Sequence, residues 1–191
     1  EERMKAIVQA SEEIIDGQWH SHFIVDPIQG GAGTSNNMNA NEVIANRALV
    51  ILGREKGDYD YISPNNHVNM SQSTNDAFPT ALHISLLIRA ESLLETMNTM
   101  KQAFEAKAVE FDHIIKMGRT HLQDAVPIRL GQEFSAYAKV LSRDIRRVTN
   151  ALENLYEINI GATAVGTGLN ADQKYIDVVV EELRKITGYP L

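Results

Sequence analysis

The chain has 191 residues, enough for one large domain or two small ones around a buried core. Its 25 acidic against 18 basic side chains give a formal charge of −7, which argues against a protein that tracks nucleic-acid phosphates with a basic face. It has no cysteine, so disulfides, thiolate zinc sites and cysteine nucleophiles are excluded.

The chain opens in helical phase: Ile7, Val8, Ile14 and Ile15 follow Glu1-Glu2-Arg3-Met4 with no capping residue in front. The uncapped start reads as an internal piece of a longer protein, and the helix is expected to end at Gly17. Residues 18–37, with His20, His22, Pro27 and Gly30-Gly31-Ala32-Gly33, are expected to form an extended loop. A second helix is expected from about Asn39 to Leu52, stopped by Gly53, and a polar loop from Glu55 to about Asn75.

Between Pro79 and Gly118 there is neither proline nor glycine. Leu86, Ala90, Leu93, Met97, Met100, Phe104, Ala108, Phe111 and Ile115 recur at spacings of four and three, which predicts one helix of about 40 residues, or about 60 Å. After a loop holding Pro127, the series Phe134, Ala138, Leu141, Ile145, Val148, Leu152 and Leu155 predicts a second long helix. A glycine-rich loop, Gly161 to Gly168, leads to a last helix near Tyr175–Thr187. Two long helices joined by some ten residues lie antiparallel, and their seam needs further helices from this chain or from other subunits. The fold class expected is all-α, a long antiparallel helix bundle. The longest aliphatic runs, such as Ala48–Leu52, are too short to cross a membrane, and the N-terminus carries no signal peptide. A soluble, cytoplasmic protein is expected.

Four loops could carry chemistry. Gly30-Gly31-Ala32-Gly33-Thr34-Ser35-Asn36-Asn37 is either a flexible turn or a phosphate cradle, but it lacks the lysine of a P-loop. Ser71-Gln72-Ser73-Thr74-Asn75-Asp76 precedes the long helix, with Pro79 expected in the first turn. Capping alone accounts for any one of these residues, yet six in a row exceed what a cap needs. Hydroxyls and free amides at the positive end of a long helix make a carboxylate or phosphate site without a cation. In Gly118-Arg119-Thr120-His121-Leu122-Gln123-Asp124 the histidine sits in a loop between long helices beside polar neighbours, open to a structural or a functional role. His20, His22, His67, His83 and His113 show no metal-ligand spacing, and no metal is expected. Gly166-Thr-Gly168-Leu-Asn-Ala171 matches a dinucleotide fingerprint only formally, because a helix rather than a strand precedes it.

Taken together these segments resemble the aspartase/fumarase superfamily of lyases. Gly30–Ser35 with Asn39-Ala40-Asn41-Glu42 is similar to the family's first signature segment. His67-Val-Asn-Met-Ser-Gln-Ser-Thr-Asn-Asp76 is similar to the second, and Lys116–Asp124 and Gly161–Asn170 to further ones. The wording is nearest the aspartate ammonia-lyases. Fumarases carry Thr-Gly-Ser-Gly-Thr in place of Gly30–Thr34, Ser-Ser-Asn-Asp in place of Ser73–Asp76, and glycine in place of Ala162.

The resemblance implies reversible, cofactor-free elimination of ammonia from L-aspartate to fumarate through an enediolate. It implies that Thr34, Ser73 and Thr74 hold the carboxylate that gains charge, that Asn75 and His121 contact the amino group, and that Thr120 contacts the other carboxylate. His121 is the catalytic candidate within these residues. The family's general base, a serine on a Gly-Ser-Ser loop, has no counterpart here. Residues 1–74 would be the C-terminal part of the family's N-terminal domain, and 75–191 the first part of its central long-helix bundle. The alternatives are fumarase-type hydration of fumarate to malate, a relative acting on an amino-linked fumarate adduct, and a catalytically incomplete structural bundle. Because about 60 Å of helix separates Asn75 from His121, one site using both requires residues from different subunits. A homotetramer is expected.

Overall fold

The computed structural model describes residues 1–28 and 30–191. Gln29, inside the loop expected over residues 18–37, lies outside the described residues. The chain is mostly helical, as expected, with one small antiparallel hairpin added. It forms two compact units, residues 1–83 with 158–191, and residues 84–157.

In the first unit, α1 (Glu2–Ile15) packs on α2 (Thr34–Ile51). Ala6 and Ala10 of α1 meet Ala45, Ala48 and Leu49 of α2, with Ile62 closing the same core. Four alanines among these six residues let the two helices approach closely, and the aliphatic pair fills what remains. α2 starts five residues earlier than expected, so Thr34 to Asn37 are helical rather than looped. The glycines end at Gly33, whose left-handed backbone (φ +72°) turns the chain into the helix. Gly33 is also where a side chain cannot go: a Cβ there would lie 2.3 Å from the Phe78 ring. Gly33→Ala is therefore expected to destabilise by about 2 kcal/mol or more, combining an unfavourable φ with overpacking. A melting temperature equal to wild type would contradict this.

Glu13 ties α1 to α2. Its carboxylate accepts from the Arg47 guanidinium (Nη2–Oε1 2.8 Å) and from Trp19 Nε1 at 2.7 Å, while Arg47 stacks over the Trp19 ring at 4.9 Å. The Arg47 hydrogen bonds, then that of Trp19, pull the Glu13 carboxyl down to about 2 from an ordinary value of 4.5. A depressed carboxyl stabilises the fold above its unfolded pKa and loses that contribution as pH falls through the folded one. Between pH 4.5 and 2 the melting temperature is expected to fall more steeply in wild type than in Glu13→Gln. Equal slopes would show that the cluster contributes nothing.

The long helix α3 (Thr74–Glu110, 37 residues) begins in this unit. Ser73 Oγ accepts from Asn75 N (3.3 Å), and Asp76 Oδ1 accepts in return from Ser73 N (2.8 Å), a reciprocal box that closes the helix start. Pro79 stands inside α3, in its second turn rather than the expected first. Without an N–H it leaves the Asn75 carbonyl lacking its helical donor. The side chain of Asn159 supplies the missing bond, Nδ2 to Asn75 O at 3.1 Å. The last helix, α5 (Gln173–Thr187), is capped by Asp172 and ends at Gly188, close to the expected bounds.

In the second unit α3 stops at Glu110, eight residues before Gly118. Residues expected to finish the helix and form a loop instead make β1 (Ile115–Thr120) and β2 (Gln123–Arg129). The strands pair antiparallel from Ile115↔Arg129 to Thr120↔Gln123. Leu130 N to Ile114 O (2.8 Å) and Gly131 N to Phe111 O (3.1 Å) draw the chain back across the helix end. The four-and-three spacing misled at its last two members. Phe111 lies in the turn after α3 and packs on Phe134 at 5.2 Å, and Ile115 is largely exposed on a strand. Pro127 is tolerated because a strand of a two-stranded ribbon has an outer edge that needs no N–H.

The second long helix is α4 (Leu130–Leu152), followed by a 3₁₀ turn at Glu153–Tyr156. Phe104 meets Tyr137 (5.7 Å) and Phe111 meets Phe134 (5.2 Å). Residues later along α3 and its following turn thus face earlier residues of α4, so the pair is antiparallel as expected.

A candidate active site at the start of the long helix

The first turn of α3 gathers polar groups of unequal freedom. Thr74 Oγ1 accepts from Asn37 Nδ2 at 2.9 Å. That bond takes one lone pair of the hydroxyl and makes no use of its O–H donor. Asn37 also donates to Asn69 Oδ1 (3.2 Å), which takes a second bond from Asn41 Nδ2 (3.0 Å). A chain of neutral amides therefore fixes Thr74. Asn37 lies one turn into α2 from Thr34, and Gly33, just before Thr34, backs onto Phe78. The start of α2 is thereby held against the start of α3, and Thr34 remains exposed. Asn75 is also exposed and donates from Nδ2 to the carbonyl of Ala164 at 2.7 Å.

Beneath these lies Asp76, fully buried. Besides Ser73 N, its carboxylate accepts from Gly161 N (3.1 Å) and Thr163 N (2.8 Å) through Oδ2. Three backbone N–H groups satisfy a charge that would be costly to bury alone. Burial, and then the neighbouring Asp76 charge, push the Tyr175 phenol up to about 12.

Four of the residues singled out by sequence, Thr34, Ser73, Thr74 and Asn75, thus belong to one unit. Thr120 and His121 belong to the other. Thr120 ends β1 and His121 opens the hairpin turn, where Leu122 adopts φ +57°, and both are exposed. The expected loop is the tip of a two-stranded hairpin. Across its strands Arg119 pairs with Asp124 at 3.0 Å, and Lys116 at its base pairs with Glu133 of α4 at 2.7 Å. Among the other histidines, His67 accepts from Ser63 N through Nδ1 (2.9 Å) and His20 bonds the carbonyl of Ile14 (2.9 Å).

Sequence reasoning missed Asn37, Asn159 and the buried role of Asp76. The Ser-x-x-Asp spacing of a helix-start box pointed to Asp76. Asn37 stands in the first candidate loop with no role assigned to it, and nothing local marks Asn159; their partners lie 37 and 84 residues away. Chemically, the start of α3 offers hydroxyl and amide donors at the positive end of a helix, with Asn75 Oδ1 left as an acceptor. That set suits a carboxylate next to an amine.

Comparison with known proteins agrees with this chemistry. A family model described as lyase matches residues 1–191. The chain is 68% identical over 187 residues to an aspartate ammonia-lyase of Bacillus subtilis (strain 168), a match covering 98% of this chain and 39% of that protein. A crystal structure titled fumarate lyase:delta crystallin from Brucella melitensis bound to cobalt aligns with TM-score 0.93 and 52% identity, over 100% of this chain and 42% of that one. A recombinant class II fumarase from Schistosoma mansoni aligns with TM-score 0.82 and 36% identity, over 97% of this chain and 40% of that one. The chain spans about two fifths of the length of the relatives it matches. With its four signature segments in order, a family match along its whole length and these identities, the chain belongs to the aspartase/fumarase superfamily of lyases.

Proposed function

We propose that the full-length protein carrying these residues eliminates ammonia from L-aspartate to give fumarate, reversibly. Loss of the Cβ proton places a second negative charge on the neighbouring carboxylate, and stabilising that enediolate is the main catalytic task. Thr34, Ser73 and Thr74 hold this carboxylate, Asn75 and His121 receive the amino group, and Thr120 binds the other carboxylate. The observation that carries the reading is the state of Thr74. Its oxygen accepts from Asn37 Nδ2, which holds the hydroxyl in place without using its proton, at a helix start where each donor gains strength as the charge grows.

The test is an assay of the full-length protein with L-aspartate, followed by the absorbance of fumarate. Fumarate release from L-aspartate supports the reading. Conversion of L-malate in its place would favour the fumarase alternative.

The chemistry also implies how subunits assemble. Leu86, Leu87 and Ile88 are consecutive on α3, and while Leu87 is buried, Leu86 and Ile88 are 45% and 55% exposed. Three consecutive positions point 100° apart and together span about 200°, wider than the stripe one partner helix covers. The uncovered Leu86 and Ile88 support a homotetramer with sites shared between subunits, whose helices would cover them. In this reading residues 1–74 close the N-terminal domain and residues 75–191 open the central bundle. No helix among the described residues is long and apolar enough to cross a membrane, and the absence of cysteine favours a cytoplasmic setting.

A further inference from the structure

We propose that the Gly161–Ala164 loop, clamped by the buried carboxylate of Asp76, sets the Asn75 amide with Oδ1 toward the substrate's amino group. Asp76 is then a positioning residue for amine recognition. This inference rests on the aspartate-eliminating reading above.

The amide is oriented by one backbone carbonyl. Asn75 Nδ2 stands 2.7 Å from Ala164 O. A carbonyl only accepts, so the NH2 side of the amide faces it and Oδ1 faces the other way. A substrate ammonium only donates, and Oδ1 is the one side-chain atom of Asn75 that can receive it. A flipped amide would set two oxygens against each other and aim an NH2 group at a cation. The placement of Ala164 O therefore decides whether Asn75 attracts an amine or repels it.

That carbonyl sits in a segment that needs support. Thr163, a β-branched residue, adopts φ +59°, and Gly161 adopts φ +88°. Left-handed backbone at a β-branched residue is sparsely populated and persists only where its surroundings enforce it. Asp76 enforces it here, because Oδ2 accepts from both Gly161 N and Thr163 N. The main chain of Asn75 is held from the same side, since Asn159 Nδ2 replaces the helical bond that Pro79 cannot make. Side chain and carbonyl of Asn75 are both bonded to residues 159–164.

The test compares two ligands of the full-length enzyme: L-aspartate, through its KM, and succinate, through its inhibition constant. Succinate has both carboxylates and no amine. Two variants reach the loop from opposite sides. Asp76→Asn sets an amide donor against backbone donors. Gly161→Ala strains the loop at φ +88° and leaves Ser73 and Thr74 untouched. In both, KM for L-aspartate is expected to rise about tenfold or more, the loss of one charge-assisted hydrogen bond. In Gly161→Ala the succinate constant is expected to stay within about twofold, since no carboxylate contact changes. If the two constants rise together in Gly161→Ala, the loop is general support and the proposal is overturned. Should Asp76→Asn fail to fold, Gly161→Ala decides alone. A wild-type enzyme that binds succinate but releases no fumarate from L-aspartate overturns the reaction itself. An active wild type with unsplit constants in Gly161→Ala overturns only this inference.

Discussion

Purified by itself, the 191-residue chain is expected to convert L-aspartate to fumarate about 10⁴-fold or more slowly than the full-length protein, because the serine base that the family resemblance implies for the proposed reaction has no counterpart among its residues. The sequence contains no Gly-Ser-Ser triplet. In the proposed reading the groups it does contain bind and orient: Thr74 offers a proton to a carboxylate and Asn75 an oxygen to an amine, and neither is a base. Stabilising an enediolate without removing the Cβ proton leaves the first step uncatalysed, and removing one member of a catalytic set typically forfeits most of the set's effect. The assay follows fumarate absorbance at matched concentrations of chain and full-length protein. Turnover by the chain within about tenfold of the full-length rate would show that the base lies inside these residues and that the proposed set is wrong.

The second large effect is recovery rather than loss. In the full-length protein, Asn75→Ala and His121→Ala are each expected to abolish most activity, and mixed oligomers made by unfolding and refolding the two together are expected to regain part of it. α3 is one helix of 37 residues, about 55 Å long at 1.5 Å per residue. Asn75 lies in its first turn, and the hairpin carrying His121 follows its last. A four-carbon substrate cannot bridge the length of such a helix. In the proposed reading the site takes Asn75 from one subunit and His121 from another, and a mixed oligomer then contains some sites with neither lesion. Losing the Asn75 Nδ2 bond to the Ala164 carbonyl costs about 1 kcal/mol, so the variants are expected to assemble. Mixed oligomers that form and stay inactive would show that the residues do not share a site across subunits.

Much of this was legible in the linear sequence, for reasons that differ by element. The helix periods of α1, α4 and α5 follow from apolar residues recurring on one face, a signal that needs no partner to be read. The superfamily was readable because four separate segments in order carry their own residue wording, which the family match over residues 1–191 bears out. The end of α3 was not readable. Phe111 and Ile115 continue the spacing of four and three, and only the bonds from Leu130 and Gly131 back to Ile114 and Phe111 show that the chain has already left the helix.

The sequence by itself determined the mostly helical class, the long helix pair and the run of hydroxyls and amides before α3. These depend on composition and local period, which each segment carries alone. Only the tertiary structure decided which of those polar groups are free to act. Ser73 Oγ and Thr74 Oγ1 each accept one bond and keep a proton to give, while the Asp76 carboxylate is taken up by backbone N–H groups. Asn75 has its nitrogen bound and its oxygen free. The groups that settle these states are Asn37, Asn159, Gly161, Thr163 and Ala164. They lie 37 to 89 residues away in the chain, and a hydrogen bond between such partners has no period for a sequence to show.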